Sequence, residues 1–275
     1  MYRRLAALCL SLGVFGGAAV AAWWWQASPA SQEDLVAELP LPPFPPRITE
    51  GKDYESCLAA LAEDPAGAMA MADTWLASGG GDGAAHCHGL ALIVTGKPEA
   101  GAAALEHLAE TSEAPPMARA LVLGQAGQAR LMVSQPDKAV DDASRALALW
   151  PTDSDLFIMR ATAEGMLDRF HDAIADLSDA LRLNASRTDA LVSRAVMHRQ
   201  LNELELAQAD VGRVLSQDPD NPDALLERGI LRQRLGDQAG ARTDWQHARD
   251  VDPNSTTADL AEQNLSLLEA GPERR

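Results

Sequence analysis

Aromatic side chains are scarce, 4% of 275 residues, and the deficit argues against sheets, which draw on aromatic and β-branched residues. Alanine and leucine dominate every stretch after residue 53, so an all-α chain is expected. Positive charge is short as well: 23 Lys and Arg against 40 Asp and Glu leave a formal net charge of −17. Such a surface repels nucleic acid and anionic headgroups, and it favours neutral or basic partners. Catalytic signatures are missing too. No Gly-rich phosphate loop, H-E-x-x-H or G-x-S-x-G occurs, and His107, His171, His198 and His247 share no column and read as solvated. Neither an enzyme nor a bound cofactor is expected.

Long hydrophobic runs are confined to the N-terminus, where Arg3 and Arg4 precede an uncharged stretch from Leu5 to Trp25. That is the layout of a secretory signal, with small-residue cleavage sites at Ala19 and Ala21 or at Ser28 and Ala30. The same stretch is long enough to span a bilayer, with Trp23 to Trp25 at an interface. Residues 1–30 are therefore a signal peptide or a membrane anchor, the only segment expected to touch a membrane. Either reading exports the rest, to the periplasm. Between Ser28 and Arg47 lie six prolines, which remove amide donors and favour extended backbone. Residues 31–52 are read as a proline-rich linker.

Beyond residue 53 the chain repeats. Pro219 and Pro253 are 34 residues apart, and Pro151 lies twice that distance before Pro219. The same step links Ala139, Ala173, Ala207 and Ala241; Ala146, Ala180, Val214 and Ala248; and Gly127, Ala161, Ala195 and Gly229. A large apolar residue stands four before each member of the last series: Leu123, Phe157, Leu191 and Leu225. These columns resemble the tetratricopeptide repeat. The resemblance implies a right-handed superhelical α-solenoid of helical hairpins, in which small residues let paired helices approach closely. Four repeats are placed at 120–153, 154–187, 188–221 and 222–255. Asn202 and Gly236 fall at turns that need a positive φ. Residues 53–119 form an N-terminal helical unit like the repeats, with Pro116 to Arg119 read as extra residues before the array. Residues 256–275 supply an amphipathic capping helix and a tail. The array and its N-terminal unit also resemble short exported repeat proteins of Gram-negative bacteria.

Cys57 and Cys87 are the cysteines outside the apolar run. In an oxidising compartment they are expected to pair. A metal site using His86, Cys87 and His88 is the alternative, although neighbouring helical residues diverge by about 100°. Buried thiols are a third reading. Arg160, Arg194 and Arg228 recur at 34 residues, as do Asp142, Asp176, Asp210 and Asp244. They are read as a structural ladder of interhelical ion pairs, within a repeat or between successive repeats. Because Ala126 occupies the first arginine slot, within-repeat pairing strands Asp142 and the other pairing strands Asp244.

Asp155, Asp189 and Asp223 each open a first helix, where they complement its positive end. In the family that these repeats resemble, first helices line the concave face. Carried over position by position, the partner groove comprises Ile158, Thr162, Val192, Val196, Arg199, Leu226, Ile230 and Gln233, with the three aspartates beside it. Members that grip a carboxylate terminus carry lysine and asparagine at slots held here by Ile158, Thr162, Val192 and Val196, which argues against a carboxylate clamp. The expected role is a protein-interaction scaffold in the bacterial cell envelope holding a protein or peptide. Architectural self-association is the alternative, with a metal-binding protein behind it.

Overall fold

The computed structural model describes residues 47–270, so the signal or anchor at 1–30, most of the linker and the last five residues lie outside them. Among the described residues there are thirteen helices and no strand. They run as α1 (Lys52–Glu63), α2 (Pro65–Ala77), α3 (Gly81–Val94), α4 (Pro98–Thr111), α5 (Pro116–Met132), α6 (Pro136–Leu149) and α7 (Ser154–Met166). The series continues with α8 (Phe170–Leu183), α9 (Thr188–Gln200), α10 (Leu204–Gln217), α11 (Pro222–Arg234), α12 (Gln238–Val251) and α13 (Thr256–Ala270). Each helix packs on the next, and the first helices of the later hairpins, α5, α7, α9 and α11, also touch in sequence. This is an all-α helical solenoid.

Local chemistry starts and stops the helices. Proline holds the first position of α2, α4, α5, α6 and α11, where its missing N–H is not needed. Side-chain oxygens of Asp64, Asp153, Asn221 and Asp237 accept from amides of the first turn that have no partner within the helix. Between the two helices of each hairpin one residue takes a positive φ: Ser134, Asp168, Asn202 and Gly236, a 34-residue series, with Gly96 in the earlier unit. The amide after each returns to the carbonyl five residues back, as in Gln135 to Arg130 and Arg169 to Glu164. That bond closes the helix end and reverses the chain. Ser134 and Asp168 accept a conformation that glycine adopts more readily, and for this reason composition does not reveal them.

The three small-residue columns are buried throughout. At Gly229 the indole of Trp245 lies where a Cβ would stand, so glycine is required there for the hairpin to close over tryptophan. One expected boundary needs correction: Pro116 to Arg119 are not a spacer. They form the first turn of α5, which is 17 residues long. A proline at its first position starts the helix earlier than the 34-residue register implies.

The apolar interior divides into two clusters. One runs from Ile48 to Leu156 and the other from Ala161 to Leu265, and the partly buried ring of Phe157 packs against both. The division falls within α7.

Candidate functional site

The arginine column pairs within repeats. Arg160 donates from Nε and Nη2 to the two carboxylate oxygens of Asp176, at 2.6 and 2.7 Å. Arg194 meets Asp210 in the same way at 2.7 and 2.8 Å, and Arg228 meets Asp244 at 3.0 and 2.8 Å. The remaining nitrogen faces backwards. Nη1 of Arg160 donates to Ser144 at 3.2 Å and that of Arg194 to Ser178 at 3.0 Å, each serine lying in the preceding repeat. Each of these arginines therefore ties three helices. At the third rung the serine slot is Gly212, which has open space where a Cβ would be. There Arg232 supplies a second cation to Asp244, at 2.7 Å.

Asp142 is the stranded member. It is buried, and its Oδ2 has no hydrogen-bond partner. Burial, reinforced by Glu106, pushes its carboxyl up to about 7, against the pull of Arg145 and Arg130. Arg130 does not serve as a substitute because Glu106 and Gln135 hold it, at 2.9 and 3.0 Å. A second buried carboxylate behaves alike. Glu164 has an orphan Oε2 and is pushed up to about 7, mainly by burial and then by Asp176.

On the first-helix face, Ile158, Val192, Val196, Leu226 and Ile230 are half-buried, and Thr162 and Gln233 are exposed. The nominated charges beside them are engaged by the protein itself. Asp155 and Asp189 both bind Arg187 at 2.6 Å, and Asp223 accepts from Thr257 at 2.5 Å. Arg199 donates to the buried Glu227 of α11 at 2.5 Å. Thr162 donates to the carbonyl of Ile158. What this face leaves for a partner is an aliphatic strip of i, i+4 pairs on successive helices.

The N-terminal unit is tied differently. Cys57 on α1 and Cys87 on α3 face one another in the geometry of a disulfide, with Cα atoms 6.2 Å apart. Beside it runs a buried chain: the Tyr54 hydroxyl lies 2.5 Å from His86 Nδ1, and His86 Nε2 lies 2.6 Å from Gln125 Oε1. Both ring nitrogens of His86 are therefore used by α1 and α5. Burial lowers its pKa to about 4. His88 turns the other way, to Asp73 at 3.1 Å. The expectation that the scattered histidines are solvated fails for His198, which is buried with Nδ1 2.7 Å from Glu203. His247 lies 2.9 Å from Asp220.

Tyr54–His86–Gln125, Arg130–Glu106 and Arg199–Glu227 are not legible along the chain. Their separations of 24 to 39 residues follow no single step, so no column marks them.

No family model matches the chain, and no curated protein matches it. Solved structures do. The thermophilic TPR protein TTC0263 of Thermus thermophilus is 18% identical, with a TM-score of 0.55, covering 69% of this chain and 99% of that one. The anaphase-promoting-complex hetero-tetramer Cut9–Hcn1 is 14% identical, with a TM-score of 0.58, covering 78% of this chain and 42% of the other. The first TPR domain of human RPAP3 is 31% identical, with a TM-score of 0.41, over 47% of this chain and 98% of that domain.

Proposed function

We propose that this chain, which belongs to the tetratricopeptide-repeat family, is an interaction scaffold that holds a protein or peptide against the first-helix face of α7, α9 and α11. The observation that carries this reading is the aliphatic strip. Ile158, Val192, Val196, Leu226 and Ile230 stay half-buried while Asp155, Asp189 and Arg199 beside them are ion-paired with Arg187 and Glu227, and Asp223 accepts from Thr257. A partner supplying apolar side chains gains by covering the strip, at about 25 cal/mol per Å². It need not break the ion pairs to do so. The N-terminal apolar run of the sequence supports a location on the outer side of the cytoplasmic membrane, tethered or released.

Photoreactive residues at Val192, Val196 and Ile230, crosslinked in intact cells, test it. One heterologous protein captured at all three positions supports the scaffold and identifies its partner. Self-crosslinks alone would assign the array to architecture instead.

A further inference from the structure

We propose that the layer formed by α6, α7 and α8 is a pH-controlled joint in the solenoid, packed when Asp142 and Glu164 are protonated and loosened when they ionise. The inference does not depend on what the first-helix face binds.

Three observations place the joint here. The first is the divided core: the apolar clusters end and begin at Leu156 and Ala161, both on α7, and a single partly buried ring, Phe157, packs against each. The second is the missing rung. Asp176, Asp210 and Asp244 each receive an arginine from their own repeat, whereas Asp142 finds Ala126 in that slot and keeps an oxygen without a partner. The third is Glu164, whose orphan oxygen is buried on α7 one helix away. A carboxyl group without a partner is tolerated in such a place when neutral; when charged it needs water or a counter-ion.

The surroundings supply no close, dedicated counter-ion at either point. Facing Asp142 are Glu106 from α4 and Arg130 from α5, which bind one another, and Arg145 and Asp141 from α6 itself. Arg145 reaches Asp142 Oδ1 only at 3.5 Å and makes a closer bond, 2.6 Å, to Glu110. From α7, Arg160 passes to Ser144 and Asp176. Facing Glu164 are Asp176 and Asp172 from α8, Arg160 from α7 and Arg169 from the turn. Arg160 is committed to Asp176, and Arg169 to Asp137 on α6 at 3.1 Å. The next residue in the Glu164 column, His198 on α9, is turned to Glu203.

Both groups are raised to the same region, about 7, so they ionise together over the neutral range. Each binds its proton more tightly folded than unfolded. The stability that protonation confers is complete below about pH 4 and is lost as pH rises through about 7. In a repeat array a local loss opens one layer, since each layer contacts only its neighbours. The α6–α8 layer takes up water first, and the segments on either side become less rigidly coupled.

Hydrogen exchange on the full chain at about pH 5.5 and about pH 8, expressed as protection factors, reads this directly. Protection of α6, α7 and α8 is expected to fall by about tenfold or more between the two, while α10 and α12 change little. Asp142→Asn combined with Glu164→Gln is expected to hold the acid level of protection at both values. A uniform change along the array, or a variant that loosens as the parent does, overturns the joint. A carboxyl carbon NMR titration of the unaltered chain needs no variant: midpoints near 7 for both groups support the joint, and a midpoint below about 5 for either overturns it.

Discussion

Arg160 and Asp176 meet as a two-pronged pair on opposite helices of one hairpin, and the third nitrogen of the same guanidinium ties the hairpin to Ser144 of the preceding repeat. The ladder is therefore a connection along the solenoid as well as within each unit. Its worth lies less in the attraction than in what removal exposes: a buried aspartate with no partner.

Arg194→Ala leaves Asp210 with only the distant Arg213, at 3.9 Å, and is expected to lower stability by about 3 kcal/mol. Arg228→Ala is expected to cost less, because Arg232 also reaches Asp244 at 2.7 Å. Urea unfolding of the two variants checks the order. Equal losses would contradict the relief attributed to Arg232.

Gly212 breaks the serine column and faces open space. Gly212→Ser restores an acceptor for Arg228 and removes a helical glycine, for an expected gain of about 1 kcal/mol. Gly212→Ala isolates the propensity contribution. The advantage of serine over alanine should vanish in an Arg228→Met background; if it persists, no rung has formed.

His86 is held neutral between Tyr54 and Gln125. If Gln125 Oε1 accepts from Nε2–H, then Nδ1 accepts from the tyrosine hydroxyl, and nitrogen NMR is expected to find that single tautomer. Its folded pKa of about 4 lies below the unfolded value, so its contribution to stability is complete above about pH 6.5 and declines as pH falls toward 4. Tyr54→Phe removes one partner of a buried nitrogen and is expected to cost about 1 to 3 kcal/mol. A protonated His86 at neutral pH would refute the arrangement.

Joining Cys57 to Cys87 closes a loop with a sequence separation of 30. In the chain-entropy description a loop of that size contributes about 3 to 4 kcal/mol. The protein recovered without reductant is expected to weigh two hydrogens less than the reduced chain. Reduction should lower the melting temperature, and Cys57→Ser should remove that sensitivity. Two alkylatable thiols in the native, unreduced protein would exclude the bond.

Much of the architecture is readable along the chain because a 34-residue step repeats the same packing problem. Ala139, Ala173, Ala207 and Ala241 are small because one helix must approach another at each, and all four are buried. The α5 boundary is less readable: Pro116 can start a helix or precede one, and only the packing of α5 on α4 and α6 chooses. The face residues were nameable by position, but the state of their charges was not. Asp155 and Asp189 converge on Arg187, which lies on the connection before α9 and belongs to no arginine column.

The all-α repeat, its hairpin spacing, the small residues that let the helices close, and a row of arginines matched by a row of aspartates are all written in the order of residues along the chain. Tertiary structure alone decided which aspartate each arginine takes. Arg160 stands 16 residues from Asp176 and 18 from Asp142, and a helical array can bring either within reach. Packing sets the guanidinium fork against Asp176 and its remaining nitrogen against Ser144, which leaves Asp142 buried with no ladder arginine and with Oδ2 unpartnered. Spacing along a chain names the candidates, but burial and direction, which exist only once the helices are packed, fix the charge each one carries.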